Sequence, residues 1–86
     1  MVKIYTREAC GYCTAAVRFL TAKGIAFEEI DATGNVELRR WLVEATGQST
    51  VPQIFIGDRS IGGYTDLRAL EDRGELDELL TEDRLG

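Results

Sequence analysis

Eighty-six residues, of which 44% are hydrophobic and 29% charged, suffice for one small domain built on a single sheet and leave no room for a second core. A net charge of -5 argues against nucleic acid as a partner, and no apolar run is long enough to span a membrane. No secretory apolar segment follows Met1 and only two cysteines are present, so a reducing cytoplasm is the expected compartment and a disulfide-stapled secreted domain is not.

The run Val2-Lys3-Ile4-Tyr5-Thr6 alternates apolar and polar side chains and is rich in β-branched residues, which predicts a strand. After Cys10-Gly11-Tyr12-Cys13 the period changes. Cys13, Ala16, Val17 and Leu20 fall at i, i+3, i+4 and i+7, one face of a helix. Cys10 therefore lies at the helix start, where unpaired N–H groups and the macrodipole favour a thiolate over a thiol, and Cys13 lies one turn inside on the apolar face. Between Ala9 and Phe27 the chain carries Arg18 and Lys23 and no acid, with Arg7 just upstream, so local charge points the same way. Thiol-disulfide exchange needs an accessible thiolate to attack and a neighbouring thiol to resolve the mixed disulfide, and this pair offers both. A structural disulfide, half of a zinc site and a pair of inert buried thiols are the competing readings. The absence of His and of any further Cys leaves zinc possible only between chains.

Lys23 and Gly24 close the first helix. Ile25 to Asp31 reads as a second strand, parallel to the first because a helix connects them. Thr33-Gly34-Asn35 is a turn and cap. Leu38, Trp41, Leu42 and Ala45 repeat the helical spacing, and Gly47 ends that helix. Trp41 is expected in the core or half-buried, with Arg39 and Arg40 on a solvated side. Val51 to Ile56 is a third strand with Pro52 at its start, Gly57-Asp58 a tight turn, and Arg59 to Gly62 a short fourth strand. Gly62-Gly63 breaks the strand, Thr65 or Asp66 caps a third helix with Leu67 and Leu70 inward, and beyond Gly74 the residues Leu76, Leu79 and Leu80 form a last amphipathic turn or two. Residues 1 to 70 carry eight acids and eight bases, so the whole excess of negative charge lies in residues 71 to 86, a solvated helix face. The expected order is strand, helix, strand, helix, strand, strand, helix.

From Ile4-Tyr5-Thr6 to Leu80 the chain resembles the glutaredoxin family of the thioredoxin superfamily, in its dithiol form. Four separated motifs carry the resemblance: Cys10-Gly11-Tyr12-Cys13, Thr50-Val51-Pro52-Gln53-Ile54-Phe55-Ile56, Ile61-Gly62-Gly63, and Thr65-Asp66-Leu67. It implies an α/β, thioredoxin-like fold, a four-stranded mixed sheet with helices on both faces, forming a single domain over residues 1 to 86. It implies a glutathione-dependent thiol-disulfide oxidoreductase with Cys10 as nucleophile and Cys13 as resolving thiol. Pro52 resembles the family's cis-proline, which would expose the backbone of Val51 to an extended thiol peptide. Thr50, Val51, Pro52, Gly63, Thr65 and Asp66 match the glutathione-binding parts, with the N–H groups of Thr65 and Asp66 suited to a carboxylate and the Asp66 side chain to an ammonium. Arg7 and Arg39 match positions of basic or polar contacts to the second carboxylate, and Tyr12 would flank the sulfur. The partners implied are glutathione, as reductant, and glutathionylated or disulfide-containing proteins. The chain is expected to work as a monomer without a tightly bound cofactor. Two residues depart from the commonest pattern: Gly11, where most dithiol members have proline, and Thr65, where many bacterial members have Asp. Gly11 keeps a second reading open, a two-iron, two-sulfur cluster held between two chains by Cys10 thiolates and glutathione. A thioredoxin-like electron donor to ribonucleotide reductase is the third.

Overall fold

The computed structural model describes all 86 residues. Strand β1 (Val2–Thr6) leads into helix α1 (Gly11–Ala22), strand β2 (Phe27–Asp31), helix α2 (Val36–Thr46), strands β3 (Gln53–Ile56) and β4 (Arg59–Gly62), and helices α3 (Tyr64–Asp72) and α4 (Leu76–Leu85). The sheet order is β2-β1-β3-β4, with β1 parallel to β2 and antiparallel to β3, and β3 antiparallel to β4. The helical crossover between β1 and β2 makes that pair parallel, and the two-residue turn between β3 and β4 makes that pair antiparallel.

The period-two alternation of β1 divides the core between the two faces of the sheet. Val2 and Ile4, with Ile54 and Ile56 of β3, pack against Ala16 and Leu20 of α1, Leu67 of α3 and Leu76 of α4. On the opposite face Tyr5 and Phe55 pack against Leu42 of α2. Helices thus cover both faces, three on the aliphatic side and one on the aromatic side. Trp41 is half-buried, 46% exposed, and covers the edge of the second cluster by stacking on Phe55 at 5.9 Å and tilting over Tyr5 at 5.8 Å.

Four boundaries differ from the sequence reading. Strand β2 begins at Phe27 and not Ile25, because the Ile25 N–H is drawn back to the Leu20 carbonyl to close α1. Strand β3 begins at Gln53, after Val51 and Pro52. Helix α3 is capped by Gly63 and not by Thr65 or Asp66. Asp66 sits at the third helical position and its carboxylate accepts the Gly63 N–H at 2.9 Å. Finally, the residues after Gly74 are a separate ten-residue helix and not a last turn or two of the third. Gly74 has a left-handed φ of 72°, which lets the Glu75 N–H reach the Leu70 carbonyl and end α3 before the chain turns. Leu76, 1% exposed, anchors the new helix in the aliphatic core, and the Met1 ammonium pairs with Asp83 on it.

Candidate active site

The carboxyl end of β1 delivers the chain into a tight loop, Arg7 to Ala9, and then into α1. Two features hold that loop. The Glu8 N–H donates to the Thr33 hydroxyl at 2.8 Å, and the Asp31 carboxylate accepts the Thr33 N–H at 2.9 Å, which ties the approach to Cys10 to the end of β2. Hydrogen bonding from the Thr33 side chain, and then from its backbone N–H, holds the Asp31 carboxyl below its ordinary pKa, since both favour the charged form. Ala9, immediately before Cys10, is the single non-glycine residue with positive φ, at 55°, a conformation that costs an alanine free energy and that the surrounding structure must impose.

Cys10 is the N-cap of α1, and its sulfur takes the place of the usual capping oxygen: the Cys13 N–H points at Cys10 Sγ, 3.1 Å away. Negative charge on that sulfur is stabilised both by this N–H and by the positive end of the helix. Cys13 is 4% exposed and Cys10 is partly exposed. The two sulfurs are paired in a disulfide, with Cα atoms 5.2 Å apart. The open sulfur at the cap and the buried one a turn inside are the arrangement expected from their spacing. Gly11, the first helical residue, has nothing within 4 Å of where a side chain would start.

Cys10 Sγ lies 3.8 Å from the carbonyl oxygen of Val51, and the Val51–Pro52 peptide bond is cis. Beside it runs a groove of about 370 Å³ walled by Tyr12, Thr50, Val51 and Pro52 on one side and by Gly63, Thr65 and Asp66 on the other. Seven of the residues singled out from the sequence thus meet in one groove. Gly62 has φ of 101°, and a side chain there would overlap the Asp66 carboxylate. A Cβ on Gly63 would come within 3.4 Å of the Pro52 carbonyl oxygen. Gly62 is therefore required by the packing of the chain on itself, whereas at Gly63 a Cβ would only reach the limit of ordinary contact with the Pro52 carbonyl. At the start of α3 the N–H groups of Tyr64, Thr65 and Asp66 precede the first intrahelical bond, Leu67 N–H to the Gly63 carbonyl, and stand free at the groove's edge.

The two arginines are placed differently. Arg39 lines an adjoining groove of about 320 Å³ that shares Gln48, Thr50 and Val51 with the first, and Arg7 lines neither. Two groove residues carried no signal in the sequence. Tyr64 faces Tyr12 at 6.2 Å and is held by Arg68, whose guanidinium donates to the Tyr64 hydroxyl at 3.0 Å and lies over the Phe19 ring at 5.3 Å. Gln48 lies where the two grooves meet. Beneath them Gln53, fully buried, donates from Nε2 to the Thr50 carbonyl at 2.7 Å and so fixes the loop before Pro52. No group of three or more His, Cys, Asp or Glu side chains converges as a metal site, and no helix is long and apolar enough to cross a membrane.

A sequence model of the glutaredoxin family matches residues 2–61. The chain is 48% identical over 79 residues to glutaredoxin 3 of Escherichia coli strain K12, covering 92% of this chain and 95% of that one. It is 49% identical over 80 residues to a glutaredoxin of Pseudomonas aeruginosa, covering 93% and 95%. Among solved structures, the solution structure of glutaredoxin from Brucella melitensis superposes with a TM-score of 0.82 at 53% identity, over 92% of this chain and 86% of that one. A buckwheat glutaredoxin in complex with glutathione superposes with a TM-score of 0.88 at 28% identity, over 95% and 77%. With its paired cysteines at the head of α1 and its thioredoxin-like sheet, the chain belongs to the glutaredoxin family.

Proposed function

We propose that the protein is a glutathione-dependent thiol-disulfide oxidoreductase that reduces glutathione mixed disulfides and protein disulfides. The observation that carries this reading is the Cys10 sulfur, held as the cap of α1 by the Cys13 N–H and set against the Val51 carbonyl at the side of a groove that ends at the α3 N-terminus. The Cys10 thiolate attacks the glutathione sulfur of a mixed disulfide, forming a Cys10–glutathione disulfide and releasing the protein thiolate, which takes up a proton. A second glutathione thiolate attacks the glutathione sulfur of that adduct, giving glutathione disulfide and regenerating the Cys10 thiolate. With a protein disulfide, the Cys13 thiolate attacks Cys10 Sγ in the mixed disulfide, closes the Cys10–Cys13 bond and expels the protein thiol. Two glutathiones then reopen it, leaving as glutathione disulfide.

In the groove, the Val51 backbone would pair with the cysteinyl backbone of glutathione as an added strand. The free N–H groups of Thr65 and Asp66 would receive the carboxylate of the γ-glutamyl end, and the Asp66 carboxylate its ammonium. Arg39, across the shared wall of Thr50 and Val51, would face the glycyl carboxylate, with Tyr12 flanking the sulfurs. Arg7 would add a cation at the loop that precedes Cys10. This cycle suits a glutathione-rich cytoplasm and requires only one chain. Turnover of a glutathionylated peptide coupled to glutathione reductase tests the reading: activity is expected with glutathione and glutathione reductase. Activity supported only by thioredoxin reductase would replace it with the electron-donor reading.

A further inference from the structure

Helix α2 carries a second stripe that the core does not use. Leu38 and Leu42 face the sheet, whereas Val36, Arg39, Arg40 and Val43, at i, i+3, i+4 and i+7, share the wall of the groove adjoining the catalytic one. Val36 is 67% exposed and Val43 42% exposed, neither arginine takes part in an ion pair, and no acidic side chain lines the groove. In a chain of net charge -5, two cations and two open valines facing one hollow form a local exception. The hollow is continuous with the catalytic groove through Gln48, Thr50 and Val51, and the Val51 carbonyl lies 3.8 Å from Cys10 Sγ.

We propose that this second groove is a docking site for the protein substrate, taking an extended segment close to the reactive cysteine that carries an acidic and an aliphatic side chain. The proposal rests on the oxidoreductase reading and names the substrate class which that site prefers. With glutathione paired to Val51, the segment that carries the mixed disulfide lies beyond it, and its side chains next to the cysteine reach across Thr50 into the second groove to meet the valines and the guanidinium groups. Arg39 lines the second groove and is also the residue proposed to face the glycyl carboxylate, so it would act on both kinds of substrate. Arg40, Val36 and Val43 belong to the second alone, so they would select among protein substrates without affecting small ones.

Two measurements separate this from the reading beneath it. In the first, glutathionylated peptides bearing Glu and Leu near the cysteine are compared with counterparts bearing Lys and Ser, beside a small glutathionylated thiol. The wild-type protein is expected to favour the acidic peptide by about tenfold in kcat/KM at low salt, with the preference shrinking as salt rises. Arg40→Glu should erase or invert the preference and leave turnover of the small substrate unchanged. In the second, a peptide with Ser in place of its cysteine is titrated into the 15N-labelled protein. Shifts are expected at the amides of Val36, Arg40 and Val43 with the acidic peptide and not with the basic one, and they should be lost in Arg40→Glu. Equal rates for both peptides, or amide shifts that ignore peptide charge, overturn the docking proposal even if the small substrate turns over. Failure of the small substrate overturns the oxidoreductase reading alone, because the titration does not depend on catalysis.

Discussion

Two helix starts face each other across the groove, and they treat their unpaired N–H groups in opposite ways. At α1 the cap is a sulfur: Cys10 accepts the Cys13 N–H, so the stabilising end of the helix acts on the atom proposed to make and break bonds. At α3 the cap is Gly63, which has no side chain to offer, and Asp66 reaches back to the Gly63 N–H from one turn in, leaving the neighbouring N–H groups open. In the proposed function the same dipole and the same orphan donors would serve covalent chemistry on one side and non-covalent anion binding on the other. What decides between them is the side chain at the cap.

If that contrast is right, damage to the two starts should differ in kind. Cys10→Ser should abolish turnover of glutathionylated substrates altogether in the reductase-coupled assay, while thermal unfolding shows a protein that still folds, since serine is a good N-cap. Gly62→Ala should come next. The methyl group overlaps the Asp66 carboxylate and forces an alanine into φ near 101°, so both stability and glutathione affinity fall, by about 1–3 kcal/mol in urea unfolding. Asp66→Ala, which removes one charged contact and half of a capping arrangement, should raise KM for glutathione and lower kcat/KM about tenfold, for a loss of about 1–3 kcal/mol. A Cys10 sulfur that remains fully reactive toward iodoacetamide in Asp66→Ala would show that the two starts act independently.

The smallest effect concerns the loop that feeds α1. Hydrogen bonds from Thr33 hold the Asp31 carboxyl below its ordinary pKa, so this carboxylate contributes stability above its unfolded-state pKa and loses it as pH falls through the lower folded value. Asp31→Asn should therefore be slightly less stable than wild type at neutral pH in urea unfolding, and the difference should close on strong acidification.

Much of this was legible in the residues before any coordinates. The change of period at Cys13 located α1 and its start, the alternation in Val2 to Thr6 located β1, and Asn35 and Gly47 marked the ends of α2, where Asn35 accepts the Leu38 N–H at 3.0 Å and Gly47 ends the helix in the left-handed region. What was hidden had weak local signals. Helix α4 has Glu75 at its N-cap position with no side-chain cap bond and presents a mostly acidic surface, so its independence rests on the burial of Leu76, a tertiary fact. Gly63 could not be recognised as a cap because a glycine cap leaves no side-chain signature. In the site, the motif positions from Thr50 to Asp66 did converge, but Arg39 opens onto the neighbouring groove and Arg7 lies apart from both. Tyr64 and Gln48 were invisible because an aromatic after two glycines and an amide in a loop have many ordinary reasons to be there.

The most direct test of the division between the cysteines is to treat Cys13→Ser with glutathione disulfide and follow it by intact-mass spectrometry and peptide mapping. A single glutathione should appear on Cys10 and leave on addition of free glutathione, and the variant should keep its turnover of glutathionylated peptides while losing reduction of protein disulfides that need both thiols. A Cys13→Ser protein that takes up no glutathione and is as inactive toward glutathionylated peptides as Cys10→Ser would contradict the assignment of Cys10 as the attacking thiol.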